Sequence, residues 1–597
     1  MTHERKTERA AIDQPLLPNA VEDGWGSDRI ARLLSRFELP YICLNPGASY
    51  RGLHDSLVNL LGNRAPQMLL CLHEESAVAI AQGYAKVTGK PLAVALHSNV
   101  GLMHGTMAIF NAWCDRVPML ILGATGPVDA VKRRPWIDWI HTARDQAAIV
   151  RPYVKWDDQP ASIPAAEESL LRAMQVATSA PRAPVYVVLD SALQEMPYRT
   201  DTPLPDVARF APVPPPVPAP AAIAEAAKHL AAARQPAILI GRATRDEAAW
   251  RERVTLAERL SALVVTDLKA GAAFPTDHPL HAGPPGGFLR PEVAERLKTA
   301  DVILALDWVD LAGTLNTVWP GGASPAFVIN ATLDHQLHNG WSFDHFGLPP
   351  TDLRLAAEPD AVVAALVSAL PAGRRELPAP TPARSAAVPA SGVITIAAFA
   401  ARLQEATRGE KVSLLHLPLG WDGGYWHFRH PLDYIGGDGG AGIGAGPGIA
   451  VGAALALEGS GRLPIAITGD GDFLMSSTAL WTAVHYKIPL MVIVANNRSF
   501  FNDELHQERM ARQRNRPVEN RWVGQRIAEP APDLAQMAQA QGATGVGPVE
   551  DAADLAAALQ DGVRALRSGA VVVIDVHVAP GYAPGAAMTR EGGKGGR

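Results

Sequence analysis

The 597-residue chain holds 48% apolar and 19% charged residues, the balance of a compact folded protein rather than a disordered or fibrous one. A formal net charge of −6 and the lack of any long Lys/Arg run exclude the basic footprint of a nucleic-acid binder. Length alone predicts roughly three or four domains.

Residues 1–15 are rich in charge and lack the apolar stretch of a secretory signal. The most apolar runs, such as 449–457 and 488–495, are about half as long as a membrane-spanning helix requires. Cys43, Cys71 and Cys114 show no Cys-x-x-Cys spacing, so neither a disulfide framework nor a zinc site is expected. The expectation is a soluble, cytoplasmic protein.

In chain order, apolar runs at 41–44, 68–72, 92–96, 119–122 and 185–189 alternate with helix-like segments such as 76–87, which predicts a parallel α/β sheet. The Pro/Ala-rich stretch 211–222 reads as a linker, because proline withholds a ladder donor and holds the backbone extended. Runs at 237–240, 262–265, 302–306 and 326–329 repeat the alternation before a second Pro/Ala-rich stretch, 371–391. Runs at 412–415, 464–468, 490–495 and 571–576 repeat it again. No short-period repeat competes, so the predicted class is α/β with three doubly wound parallel-sheet domains. The predicted organisation is an N-terminal extension 1–24, a domain 25–195, a linker 196–222, a central Rossmann-like domain 223–370, a linker 371–392, a third domain 393–580 and a tail 581–597. The Gly-rich, basic end of that tail is expected to be mobile without ligand.

The strand at 464–468 turns at Gly469-Asp470-Gly471-Asp472 and leads to an amphipathic helix around 476–486; the next strand, 490–495, ends at Asn496-Asn497. In a right-handed βαβ unit both carboxyl ends lie side by side, so Asp470 and Asn497 are predicted to meet at one crevice. Open α/β sheets bind ligands there, beside helix N-termini whose free N–H groups favour diphosphate. A carboxylate and an amide oxygen suit Mg²⁺, and the glycines let the backbone approach phosphates closely. Taken singly, Gly-Asp-Gly is a common turn and Asn-Asn a common loop signal. Together, with Asp470 and Asn497 separated by 27 positions, they resemble the thiamine-diphosphate signature of the acetolactate synthase and pyruvate decarboxylase superfamily. The resemblance implies Asp470, Asn497 and the backbone carbonyl of Ser499 as Mg²⁺ ligands, with Gly471 and Asp472 among the cofactor-binding residues. It also implies that domain 25–195 holds the pyrimidine and domain 393–580 the diphosphate.

Cys71-Leu72-His73-Glu74-Glu75 ends an apolar strand and opens a helix carrying Gly83-Tyr84-Ala85-Lys86. Superfamily members place an essential glutamate nine residues before such a Gly-Tyr-Ala, which selects Glu74. Glu75 reads as a carboxylate that complements the helix dipole. The implied task of Glu74 is to hydrogen-bond the pyrimidine and favour the tautomer that acts as base, which calls for a dry site where burial raises a carboxyl pKa. Matching Gly440-Ala441-Gly442-Ile443-Gly444 to the family's Gly-rich loop makes Ile443 the apolar fulcrum under the folded cofactor, and turns the Ala441 carbonyl to its amino group. Such a loop also reads as helix-packing filler. The family joins its two half-sites from different subunits, so a homodimer or homotetramer is implied.

Asn45-Pro46-Gly47, Leu96-His97-Ser98, Arg151-Pro152 and Val154-Lys155-Trp156 resemble benzoylformate decarboxylase and acetolactate-synthase-like proteins, as do Ala479-Leu480-Trp481-Thr482-Ala483 and Ile488-Pro489. His97, 23 residues after Glu74, matches a proton-relay histidine, although a lone His at a strand end also reads as a structural imidazole. Ala48 stands where the decarboxylase has a substrate-binding serine. Trp139-Ile140-His141-Thr142 replaces the Phe-Gln pair of acetolactate synthases, which puts His141 and Thr142 in the pocket and makes His141 a second relay candidate. The central domain carries no specific flavin motif; the resemblance admits FAD without predicting it. The implied reaction is attack on a 2-oxo acid, loss of CO₂, and then protonation to an aldehyde or addition to a second carbonyl. Carboligation is the expected outcome, in a transferase or lyase. Alternatives are a benzoylformate-decarboxylase-like reaction, a 1,2-diketone or hydroxyketone lyase or hydrolase, and a catalytically silent scaffold. Partners are expected to be a 2-oxo acid, a carbonyl acceptor and another copy of the chain, without nucleic acid or membrane.

Overall fold

The computed structural model describes residues 7–16, 23–321, 324–336, 348–372 and 389–581. It contains three parallel sheets. The first holds β1 (Tyr41–Leu44), β2 (Gln67–Leu70), β3 (Ala93–Leu96), β4 (Met119–Thr125), β5 (Asp157–Asp158) and β6 (Pro184–Asp190), in the order β2-β1-β3-β4-β6-β5. The second holds β7 (Pro236–Ile240), β8 (Leu263–Thr266), β9 (Val302–Leu306), β10 (Phe327–Ala331) and β11 (Leu353–Leu355), ordered β11-β10-β9-β7-β8. The third holds β12 (Val412–His416), β13 (Leu463–Gly469), β14 (Leu490–Asn496), β15 (Thr544–Val549) and β16 (Val571–His577), ordered β12-β13-β14-β16-β15. Every residue of β14, Leu-Met-Val-Ile-Val-Ala-Asn, is buried, as a near-continuous apolar run covered on both faces demands. The three-sheet α/β fold expected from the sequence is the fold observed.

The helices that position the site are α1 (Glu74–Thr88), α2 (Ser98–Cys114), α3 (Pro220–Ala232), α4 (Gly446–Ala456), α5 (Asp470–Ser476) and α6 (Ala479–His485). His73 caps α1 by accepting the Glu75 N–H, and Gly89 ends it in the left-handed conformation, at φ 67°. α3 begins inside the stretch read as linker, because proline suits the first helical turn, where its missing N–H is not needed. The helix expected around 476–486 is two helices. α5 starts at Asp470, so Asp470, Gly471 and Asp472 form a first helical turn rather than a loop, and their carboxylates suit the positive end of the dipole. Between α5 and α6, Leu480 and Trp481 donate to the carbonyls of Ser477 and Thr478, a locally tightened turn. Most of the second linker (373–388) and residues 582–597 of the tail lie outside the described residues.

α1 and α4 cross at backbone distance. A Cβ on Gly83 would lie 2.0 Å from the Ile449 carbonyl oxygen, and one on Gly452 would lie 1.8 Å from that of Ile80. One apolar core runs through this seam, joining Val78, Ile80 and Leu96 to Ile449, Val451 and Leu480. The Leu70 N–H donates to the Tyr486 hydroxyl at 2.8 Å, and the Thr482 hydroxyl donates to the Leu70 carbonyl at 2.9 Å. Arg9, fully buried, bonds both Glu458 oxygens at 2.6 and 2.5 Å. The central domain is tied to the first by Arg116, 2.8 Å from Asp334, a residue that also pairs with Arg242. Among the described residues, no helix is long and apolar enough to cross a membrane.

Candidate active site

β13 and β14 run parallel with Gly469 opposite Ala495, so the residues that follow emerge at one sheet edge. Asp470 opens α5, and Asn497 lies one residue beyond β14. Asp470 is buried and its Oδ2 has no hydrogen-bond partner. Burial pushes its carboxyl up to about 6, against the opposing pull of the backbone N–H groups of Asp470, Ser499 and Gly471. The Asn497 side-chain oxygen accepts the Ser499 N–H at 3.0 Å, and the Ser499 hydroxyl donates to Glu504 at 2.6 Å. A buried carboxylate oxygen without a partner is unfavourable, and a cation would satisfy it. Asp470, Asn497 and the Ser499 carbonyl offer only oxygen, so the residues present fit Mg²⁺.

Asp472 turns inward. Its Oδ1 accepts the N–H of Gly444 at 2.6 Å and of Gly446, at the start of α4, at 3.4 Å. A Cβ on Gly446 would sit 2.2 Å from Oδ2 of Asp472, so glycine is required there. His416, at the end of β12, completes a buried cluster that sequence reading missed. Its Nδ1 is 3.0 Å from the Ile467 carbonyl, and its Nε2 is 3.4 Å from Asp438 and 3.7 Å from Asp472. Burial opposes its charge, yet Asp472 and Asp438 hold its pKa up to about 9. The Gly-rich loop before α4 lies on α2: a Cβ on Gly442 would be 2.0 Å from the Met107 Cε. Ala441 sits at φ 56°, uncommon for a residue with a side chain, and Ile443 is 36% exposed.

The N-terminal half of the site is built on the first turns of α1 and α2. Glu74 is buried, and its Oε2 lies 3.0 Å from Nδ1 of His104. The His104 ring stacks on His73 at 5.1 Å, and Gly101 leaves room for Oε1, which a Cβ would approach to 3.1 Å. Glu75 lies in the first turn of α1, and burial and the Asp472 carboxylate both raise its pKa. Beside Glu74, His97 and His141 meet edge to face with centroids 4.8 Å apart. Burial lowers the His97 pKa, His141 and Arg134 add to that, and Glu74 opposes it. The Thr142 hydroxyl is buried without a partner, 2.5 Å from where a Gly126 Cβ would be. Ala48 is exposed, and the next residue, Ser49, reaches His97 instead, with its hydroxyl 2.8 Å from Nδ1. Among the described residues, no hydrogen bond or ion pair joins Glu74 to Asp470 or Asn497.

Three parallel sheets, with Asp470 and Asn497 following adjacent strand ends, place the chain in the α/β class, in which ligands bind beyond the carboxyl ends of the strands. The comparisons with known proteins name the family. Residues 419–576 match the thiamine pyrophosphate enzyme C-terminal TPP binding domain, 24–149 its N-terminal TPP binding domain and 223–320 its central domain. The chain belongs to the thiamine pyrophosphate enzyme family. It is 26% identical to benzoylformate decarboxylase of Pseudomonas aeruginosa over 456 residues, covering 72% of this chain and 79% of that protein. It is 24% identical to the acetolactate synthase isozyme 3 large subunit of Escherichia coli over 588 residues, covering 93% and 94%. The fold is similar to the crystal structure of benzoylformate decarboxylase from Polynucleobacter necessarius, with a TM-score of 0.77 at 21% identity, covering 94% of this chain and 99% of that one.

Proposed function

We propose that this chain is a thiamine-diphosphate- and Mg²⁺-dependent enzyme that decarboxylates a 2-oxo acid and protonates the product to an aldehyde. The observation that carries the metal and cofactor part of this reading is the buried, unpartnered Oδ2 of Asp470 at the strand end beside Asn497, and the similarity to benzoylformate decarboxylase supports the aldehyde outcome. When bound, thiamine diphosphate supplies the carbon nucleophile and the electron sink for loss of CO₂. Asp470, Asn497 and the Ser499 carbonyl hold the metal. Ile443 would support the cofactor, and the Ala441 carbonyl would accept a hydrogen bond from its amino group. Glu74 hydrogen-bonds the pyrimidine from a buried position. His97, His141 and Thr142 face the substrate, where the His141 imidazole suits the handling of a proton near neutral pH.

The working unit is a homodimer or a pair of dimers, with Glu74 of one chain completing the Asp470 half-site of another. Exposed apolar side chains on both halves support this: Leu72 and Met103 beside His73 and His104, and Ile443 and Met475 beside Asp470 and Asp472. Unpaired Cys43, Cys71 and Cys114 suit a reducing cytoplasm. Addition to a second carbonyl, the outcome expected from the sequence, stands as the second reading, favoured by the near full-length alignment with an acetolactate synthase subunit.

The test is incubation of purified protein, thiamine diphosphate and Mg²⁺ with aromatic and aliphatic 2-oxo acids, with and without an added aldehyde. CO₂ with stoichiometric aldehyde supports the proposal, and CO₂ with ketol supports the second reading. No CO₂ from any 2-oxo acid contradicts both.

A further inference from the structure

The hydrogen-bond arithmetic around His97 assigns its protons. The backbone N–H of Ser49 points at Nδ1 of His97 from 3.4 Å, and an amide N–H can only donate. Nδ1 is therefore a bare lone pair. The Ser49 hydroxyl, 2.8 Å from the same nitrogen, accepts the backbone N–H of Ser98 at 3.1 Å, which leaves its own hydrogen for Nδ1. Gly47 makes the seat: a Cβ there would lie 2.3 Å from the His97 Cβ and 2.7 Å from Nδ1. The ring is thus gripped along one edge, with Nε2 on the other. The groups that act on this ring from neighbouring elements are His141, Glu74 and Arg134. Burial lowers the His97 pKa, which agrees with a neutral ring.

We propose that Ser49 is a positioning residue that locks His97 as the neutral Nε2–H tautomer, so that His97 donates a hydrogen bond from Nε2 to an oxygen of the bound 2-oxo acid. No bond breaks at His97. A neutral imidazole used as a fixed donor stabilises charge that gathers on a carbonyl or carboxylate oxygen, and giving the proton away entirely would leave an imidazolate. This refines the relay role expected for His97 and rests on the functional reading above.

The tautomer is read by nitrogen-15 NMR of histidine-labelled protein without cofactor, with the His97 signals identified by their loss in His97→Gln. The expected wild-type spectrum has a protonated Nε2 and a bare Nδ1; Ser49→Ala gains a measurable share of the other tautomer. With cofactor and substrate, Ser49→Ala is expected to lower kcat/KM on the order of tenfold, Ser49→Thr to restore it, and His97→Gln, which keeps a donor near the Nε2 position, to exceed His97→Ala. A wild-type spectrum with Nδ1 protonated overturns the proposal. So does a Ser49→Ala variant that loses rate without a change of tautomer, or that changes neither. Failure of the functional reading shows separately, as no CO₂ release by the wild type.

Discussion

Oε2 of Glu74 lies 3.0 Å from Nδ1 of His104, a contact between residues 30 apart in the chain that only the side-by-side packing of α1 and α2 brings about. His104 is itself aligned by stacking on His73, whose Nδ1 accepts the Glu75 N–H at 3.1 Å. The first turn of α1 therefore presents one buried carboxylate in a fixed orientation.

Replacing that carboxylate by the isosteric amide should remove its acid–base capacity and little else. Glu74→Gln is expected to lower turnover by a factor of about 10² to 10⁴, the usual worth of a positioned acid or base. Thiamine diphosphate should still bind, as titration of its fluorescence quenching would record. Turnover equal to wild type would remove Glu74 from the chemistry.

The contact between α1 and α4 has no room for a methyl group. Gly452→Ala would put Cβ 1.8 Å from the Ile80 carbonyl oxygen, a backbone atom that moves only with its helix. A loss of about 1–3 kcal/mol is expected, as for overpacked cores, seen as a lower melting temperature. An unchanged melting temperature would mean that the helices are not in this register.

Arg9, fully buried, joins the N-terminal segment to the third domain through partly buried Glu458. Arg9→Ala strands that carboxylate and should cost about 3 kcal/mol, the lower end for breaking a buried pair. Urea unfolding measures it. Arg9→Ala with Glu458→Gln should recover much of the loss, because no uncompensated charge is left.

His281, buried with Nε2 2.9 Å from the Thr266 hydroxyl, is pushed down to about 3 by burial, with help from Arg296. Its ordinary value is 6.5, so between pH 6.5 and about 3 the unfolded chain binds a proton there that the native protein does not. Stability should therefore fall as pH drops through this window, by up to roughly 1.4 kcal/mol per pH unit from this group. His281→Asn should flatten that slope in pH-resolved thermal melts; an identical slope would show that His281 does not contribute it.

Much of this architecture was legible because it rests on local composition. β9 and β14 are aliphatic runs that can only be buried strands, and Asp470 and Asn497 sit at strand ends that parallel pairing must bring together. β5 and β11 were not foreseen because they span only 157–158 and 353–355 and are paired by neighbours rather than by their own pattern. β15 contains Gly-Pro, which reads as a breaker until an edge position accommodates it. Ser49, His104 and His416 were missed for another reason: their partners lie 48, 30 and 51 residues away, at distances set by packing and not by any motif.

The most direct test is calorimetric titration of the protein with thiamine diphosphate, with and without Mg²⁺, in the wild type and in Asp470→Ala. The account predicts binding that requires the metal and is lost in the variant. Circular dichroism of Asp470→Ala without ligands checks that the variant keeps its fold. Binding of equal strength without Mg²⁺, or undiminished in Asp470→Ala, would contradict it.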